Sequence, residues 1–124
     1  MLSKNELIKY FRDGVKNNTE VKIGTEHEKF IFDKNNFNLI PYEGTVSINS
    51  IFEEFIKDGW KPLKEDDNII ALTKKKASIT LEPGGQFELS GAPLNNIHET
   101  CREINNHLLF TKKIEEKFNI GFLG

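Results

Sequence analysis

At 124 residues the chain is long enough for one domain with a packed core and too short for two. Hydrophobic residues at 37%, charged residues at 29% and a net charge of −2 are ordinary for a globular protein, and without a basic excess a general nucleic-acid binder is excluded. The single cysteine, Cys101, excludes an internal disulfide and suits a reducing compartment, and no run nears the ~18 apolar residues of a membrane span. The amphipathic, charge-interrupted start MLSKNELIKYFRDG is not a secretory signal, so the expected location is cytoplasmic, with no membrane partner.

Ser3 and Glu6 have capping-box spacing and open a first helix, whose apolar stripe is Leu7, Ile8, Tyr10, Phe11 and Val15. Gly14 and Asn17-Asn18 are its stop signals. A strand is predicted over 21–32, and the turn at 33–36 leads into a partner strand at 37–40. A second helix is predicted over 46–57, capped by Ser47 or Thr45, with Ile48, Ile51, Phe52, Phe55 and Ile56 on one face.

Four short strands follow, at 60–63, 68–73, 77–81 and 86–89. The breaks at 65–67, 74–76 and 83–85 are short, as an antiparallel meander requires. A long third helix is predicted over 94–118, with Leu94, Ile97, Cys101, Ile104, Leu108, Ile114 and Phe118 along one stripe. Residues 120–124 read as the start of a strand that is cut off. The expected fold is α+β: an antiparallel sheet with helices packed on one face.

Two stretches carry candidate chemistry. In Gly24-Thr25-Glu26-His27-Glu28, side chains alternate, so Glu26 and Glu28 share a face with Cα atoms roughly 6.6 Å apart. That is too wide for a carboxylate dyad and suits ligands of neighbouring magnesium ions, which lie about 3.5–4 Å apart in two-metal sites. Mg²⁺ takes oxygen ligands, so carboxylates are the right residue type. In Leu81-Glu82-Pro83-Gly84-Gly85-Gln86-Phe87-Glu88-Leu89, the apolar residues Leu81, Phe87 and Leu89 have odd parity. Glu82, Gln86 and Glu88 have even parity. If both stretches share one sheet face, four carboxylates converge, and crowded like charges call for cations. The plainer alternative is a solvated polar face.

The other reactive residue types offer less. His27 falls on the face opposite the glutamates. His98 and His107 are not spaced to meet and lack a cysteine partner, so zinc is unsupported. Cys101 lies on the predicted stripe and is expected to be a buried, inert thiol. No nucleophile–base pair is present, so no catalytic side chain is assigned. Lys74-Lys75-Lys76 and Pro83-Gly84-Gly85 read as hairpin turns, with phosphate contact as the alternative for each.

The residues Ile23-Gly24-Thr25-Glu26-His27-Glu28-Lys29-Phe30 resemble the opening signature of glutamate–cysteine ligases of the plant and bacterial class. Asp67 to Leu72, Ile79 to Leu94, Ile97 to Cys101 and Ile120 to Gly124 resemble the same family in the same order. The resemblance implies a glutamine synthetase-like fold, with magnesium on the concave face of a curved sheet. It implies ligation of glutamate to cysteine at the expense of ATP, through γ-glutamyl phosphate, as the first step of glutathione biosynthesis. It also makes Glu26, Glu28, Glu82 and Glu88 magnesium ligands, with Glu28, Glu82 and Glu88 on one ion and Glu26 serving another. Gln86 becomes a substrate or supporting contact.

The family's chains are several times longer, and the arginines expected for glutamate recognition would lie downstream, since only Arg12 and Arg102 occur here. The chain is therefore expected to be the N-terminal part of one catalytic domain, truncated at its C-terminus and inactive alone. The alternatives are a non-catalytic magnesium- or nucleotide-binding remnant and a related carboxylate–amine ligase using another amine. Oligomeric state is left open.

Overall fold

The computed structural model of the chain describes residues 2–16 and 21–124. The stop signal at Asn17-Asn18 lies outside the described residues. The elements run α1 Lys4–Asp13, β1 Glu26–Asp33, α2 Ile48–Lys57, β2 Lys61–Glu65, β3 Asn68–Lys74, β4 Ala77–Glu82, β5 Gln86–Ser90, α3 Ile97–Phe118 and β6 Ile120–Leu123. The strands form one antiparallel sheet in the order β2-β3-β4-β5-β1-β6. The meander β2 to β5 matches its expectation nearly residue for residue, because each turn is marked by residues that leave the strand pattern. Gly84 and Gly85 both adopt positive φ, 83° and 78°, which side-chain-bearing residues avoid.

One face of the sheet carries the core. Ile48, Ile51, Phe52 and Phe55 of α2 pack on Ile31, Leu72, Ile79, Phe87 and Leu89 of the sheet, joined by Ile114 of α3 and Ile120 of β6. Each such side chain, fully buried, contributes about 1.5–3 kcal/mol. Ser47 caps α2, accepting from Ser50 N at 3.1 Å while Ser50 Oγ accepts from Ser47 N at 2.9 Å. Ile69 and Leu72 both reach this core although they differ in parity. The pairing of β2 with β3 skips from Leu63–Ala71 to Lys64–Ile69, so Ile70 is an extra residue, a bulge that reverses the alternation.

Four expectations are corrected. The strand predicted from Val21 begins at Glu26; upstream, Ile23 pairs with Leu94 through a single bridge of two 2.8 Å hydrogen bonds. Pro93, with no N–H, interrupts the ladder there. Residues 37–40 form no strand: Phe37 is at φ 60°, and only Leu39 bridges to Phe32.

The apolar stripe of α1 buries nothing, with Tyr10, Phe11 and Val15 more than 70% exposed. The stripe of α3 is rotated by about one residue. Thr100, His107, Thr111 and Ile114 face inward, while Ile97 and Leu108 are exposed and so is Cys101. Polar residues can occupy that inner face because each has a partner. Thr100 and Thr111 donate to carbonyls of their own helix, and His107 meets Lys29.

β6 forms the sheet edge beside β1, as its apolar pattern suggests, yet that edge is partly closed. Glu115 Oε1 accepts from Phe122 N at 3.1 Å, while Glu115 Oε2 pairs with Lys34. A carboxylate standing on a short edge discourages strand addition, which counters the aggregation that an open apolar edge would invite.

Candidate metal-binding face

The register settles which glutamates share a face. Glu28 of β1 lies directly opposite Glu88 of β5, and Glu88 lies opposite Thr80 of β4. Two residues along each strand, Glu26 stands opposite Ser90, and Glu82 stands opposite Gln86. Alternation then puts Glu26, Glu28, Thr80, Glu82, Gln86, Glu88 and Ser90 on one face. The intervening residues Ile79, Phe87 and Leu89 are in the core beneath the helices, so the glutamate face is the one turned away from α2 and α3. The parity argument from the sequence is thereby realised in the strand pairing.

Burial is graded across this face. Glu26 and Glu28 are exposed, Glu82 and Gln86 are half-buried, and Glu88 is only 8% exposed. Among the described residues none of the four carboxylates forms an ion pair with lysine, arginine or histidine. Their partners are neutral. Gln86 Nε2 donates to Glu28 Oε2 at 2.9 Å, Thr80 Oγ1 donates to Glu82 Oε1 at 3.2 Å, and Ser90 Oγ donates to Glu88 Oε1 at 2.6 Å. The face thus concentrates negative charge and offers only oxygen donors besides the Gln86 amide nitrogen, the ligand chemistry of a hard divalent cation. As the side chains stand, no three acidic, histidine or cysteine residues among the described residues converge on one point. The carboxylates lean toward their hydroxyl and amide donors instead.

Sequence reasoning left Thr80 and Ser90 unremarked. The available signal was their even parity with Glu82 and Glu88. Gln86 is placed against Glu28, so its first visible role is to orient a carboxylate. Arg12 is on α1 and Arg102 is exposed on α3, and neither lies on the strands that carry the glutamates.

The reverse face of the same strands has the opposite character. Lys29 is 3% exposed and His107 is 6% exposed, with Lys29 Nζ 3.1 Å from His107 Nε2. His107 stacks against both Phe55 and Phe87, with ring centroids 6.0 Å and 6.3 Å away. Burial pushes the Lys29 ammonium down to about 8. Burial first, then the charge of Lys29, then His27, push His107 down to about 3. His27 is on this side, as alternation required, and His98 does not join the cluster. No helix among the described residues is long and apolar enough to cross a membrane.

The family described as glutamate-cysteine ligase family 2 (GCS2) matches residues 22–124. The chain is 48% identical over 124 residues to the chloroplastic glutamate–cysteine ligase of Nicotiana tabacum, covering 99% of this chain and 23% of that protein. Identity is 47% with the Arabidopsis thaliana enzyme, at 99% of this chain and 23% of that one. It is 46% with ligase A of Oryza sativa subsp. japonica, at 99% and 25%. The chain therefore spans about a quarter of the length of the relatives it matches. Those relatives are named as chloroplastic, which departs from the plain cytoplasmic expectation.

Proposed function

The chain belongs to glutamate-cysteine ligase family 2, and on that premise we propose that it supplies the metal-bearing strands of an enzyme joining the γ-carboxylate of glutamate to the amine of cysteine. Residues 1–124 would be the N-terminal part of one catalytic domain. ATP and magnesium are the implied co-substrate and cofactor. The observation that carries the reading is the direct opposition of Glu28 and Glu88, with Glu26 and Glu82 on the same face and no cationic side chain paired to any of them.

The residues fit magnesium in type and in face. Glu28, Glu82 and Glu88 would hold one ion and Glu26 would serve a second. Magnesium held there would supply positive charge to neutralise phosphate oxygens during phosphoryl transfer to the glutamate carboxylate. This chain's own contribution is positional. Two rigid hairpin-linked strands and β1 set the carboxylates in register, and Gln86 orients Glu28. The cysteine amine attacks the γ-glutamyl phosphate, the C–N bond forms as the C–O bond to phosphate breaks, and the amine loses its proton. Nothing on this face calls for nucleic acid or lipid.

The second reading, a magnesium- or nucleotide-binding remnant, draws on the absence of arginine from the glutamate strands, since bidentate carboxylate recognition favours arginine. Product analysis of the full-length protein with glutamate, cysteine and ATP separates the two, and Glu28→Gln tests the metal ligand. The substitution keeps the side chain's size and removes an anionic ligand, so γ-glutamylcysteine formation at limiting magnesium should fall by at least 10-fold while the fold is retained. Parental turnover would sink the ligand assignment. A single exposed cysteine suits any reducing compartment, the cytoplasm and the plastid interior alike. Imaging of the tagged full-length protein distinguishes them.

A further inference from the structure

The helix side of the sheet holds a cavity that the glutamates do not use. α2 ends at Lys57, Gly59 turns the chain at φ 90°, and Trp60 N donates to Phe55 O at 3.1 Å. The turn brings the indole back edge-on to the Phe55 ring, with centroids 5.8 Å apart. Phe110 of α3 meets the same ring edge-on at 4.7 Å. These aromatic rings, with His107, line a cavity of about 290 Å³ between α2, α3 and the turn joining β3 to β4. Small-molecule sites run from about 300 to 1,000 Å³, so this one suits a ligand of one or two rings.

The polar groups of the cavity are unevenly committed. Lys74 Nζ donates to Asp58 Oδ2 at 2.7 Å and to Asp58 O at 2.6 Å, so those two charges offset each other. The Glu103 carboxylate is turned aside. Its Oε1 accepts from Ala92 N at 2.9 Å, and its Oε2 lies in the space a side chain at Gly91 would take. Lys75, on the exposed turn, lines the cavity and forms no ion pair among the described residues. Deeper in, His107 Nε2 takes a hydrogen bond from Lys29, so the neutral ring carries its hydrogen on Nδ1. Nδ1 has no acceptor among the described residues and is not sealed from solvent. The ammonium and the imidazole left over are both donors, which selects a ligand of acceptors and negative charge, while the walls select a flat apolar body. We propose that this cavity binds a small aromatic carboxylate, with its ring against Phe55, Trp60 and Phe110 and its charge drawn to Lys75.

The test is a saturation-transfer NMR titration of the full-length protein with probes of one skeleton: phenylacetate, neutral phenylacetamide and cationic phenethylamine. Phenylacetate should bind saturably and tightest, and phenethylamine weakest. Lys75→Gln keeps most of the stem and removes the charge on an exposed turn, where the fold is not at risk. It should weaken phenylacetate about 3- to 5-fold, the scale of an exposed ion pair, and leave phenylacetamide unchanged. The advantage of phenylacetate over its amide should also shrink as salt screens the charge. Phe110→Trp enlarges a wall of the cavity and should abolish binding of every probe. If that variant does not fold, Lys75→Gln decides alone. Absence of saturable phenylacetate binding, equal affinity for the three probes, or parental phenylacetate affinity in Lys75→Gln would each overturn the proposal. So would loss of binding in Glu28→Gln, because it would put the probe on the glutamate face. The outcome is separate from the metal reading, since the cavity and the glutamates lie on opposite faces of the sheet.

Discussion

His107→Gln should remove an acid-sensitive component of stability. His107 is enclosed by Phe55 and Phe87, and its Nε2 is 3.1 Å from the Lys29 ammonium, which donates to it. The proton is thus excluded in the fold, and the pKa is pushed from its ordinary 6.5 to about 3. In the unfolded chain the imidazole takes up a proton near 6.5, so the unfolded state binds more protons between those two values. Stability from this residue is fully present above the unfolded value of 6.5 and is lost progressively as pH falls from there toward the folded value of about 3. Between pH 7 and pH 5 the loss integrates to about 2 kcal/mol.

Glu6, Glu54 and Glu99 are held below the ordinary carboxylate value by hydrogen bonds, to Ser3, Lys117 and Asn95 first, so they titrate below this window. His27 is also held low, by burial and then by Lys29, but it contributes to parent and variant alike. Glutamine keeps an acceptor for Lys29 and does not titrate. Urea unfolding of parent and variant at pH 7 and pH 5 provides the assay. The parent should lose about 2 kcal/mol more on acidification than the variant. Equal losses in the two proteins would refute the assignment of a neutral, buried His107.

Phe55 touches Trp60, Phe87, His107 and Phe110 and is 1% exposed, so Phe55→Ala should cost about 3–5 kcal/mol in urea unfolding. A cost below 1 kcal/mol, on the order of a surface change, would show that the aromatic cluster is not the core's centre. At Gly91 an added methyl would overlap Glu103 Oε2 and stand 2.7 Å from Thr25 Oγ1, so Gly91→Ala should destabilise by about 1–3 kcal/mol. An unchanged melting temperature would contradict that packing. Cys101 is exposed, so a thiol reagent should modify it in the native protein at nearly the rate seen in urea. Protection in the native state would restore the buried placement.

The strands that carry the glutamates were legible because two local rules coincide in them. Alternation separates Phe87 and Leu89 from Gln86 and Glu88, and Pro83-Gly84-Gly85 forces the chain to reverse between Glu82 and Gln86. Neither rule depends on distant partners. The bulge at Ile70 was illegible because an extra residue is visible only against the strand it fails to match. The face of α3 was misplaced for a related reason. Ile97, Cys101 and Leu108 form a plausible apolar stripe, but the inward face is the one that carries His107, whose partner Lys29 on the core side of β1 is distant in sequence. The exposed stripe of α1 shows the same limit, since an apolar face announces that it can be buried and not what buries it. Thr80 and Ser90 were passed over because hydroxyl residues on a strand are common and acquire meaning only beside the carboxylates they touch.

The path from α3 to the glutamates is short and stiff. Asn119 ends the helix in the left-handed conformation at φ 54°, and β6 begins at the next residue. β6 is laddered to the second half of β1, from Phe30 to Asp33, and the first half of that same strand holds Glu26 and Glu28 against β5. Glu115 ties the helix back to β6 at Phe122, which bypasses even the one hinge residue. The helix, the edge strand and the glutamate strand are thus one continuous run of covalent and hydrogen-bonded joints, so α3 cannot shift along its axis without breaking the Glu115–Phe122 bond or carrying β6, the ladder partner of β1, with it.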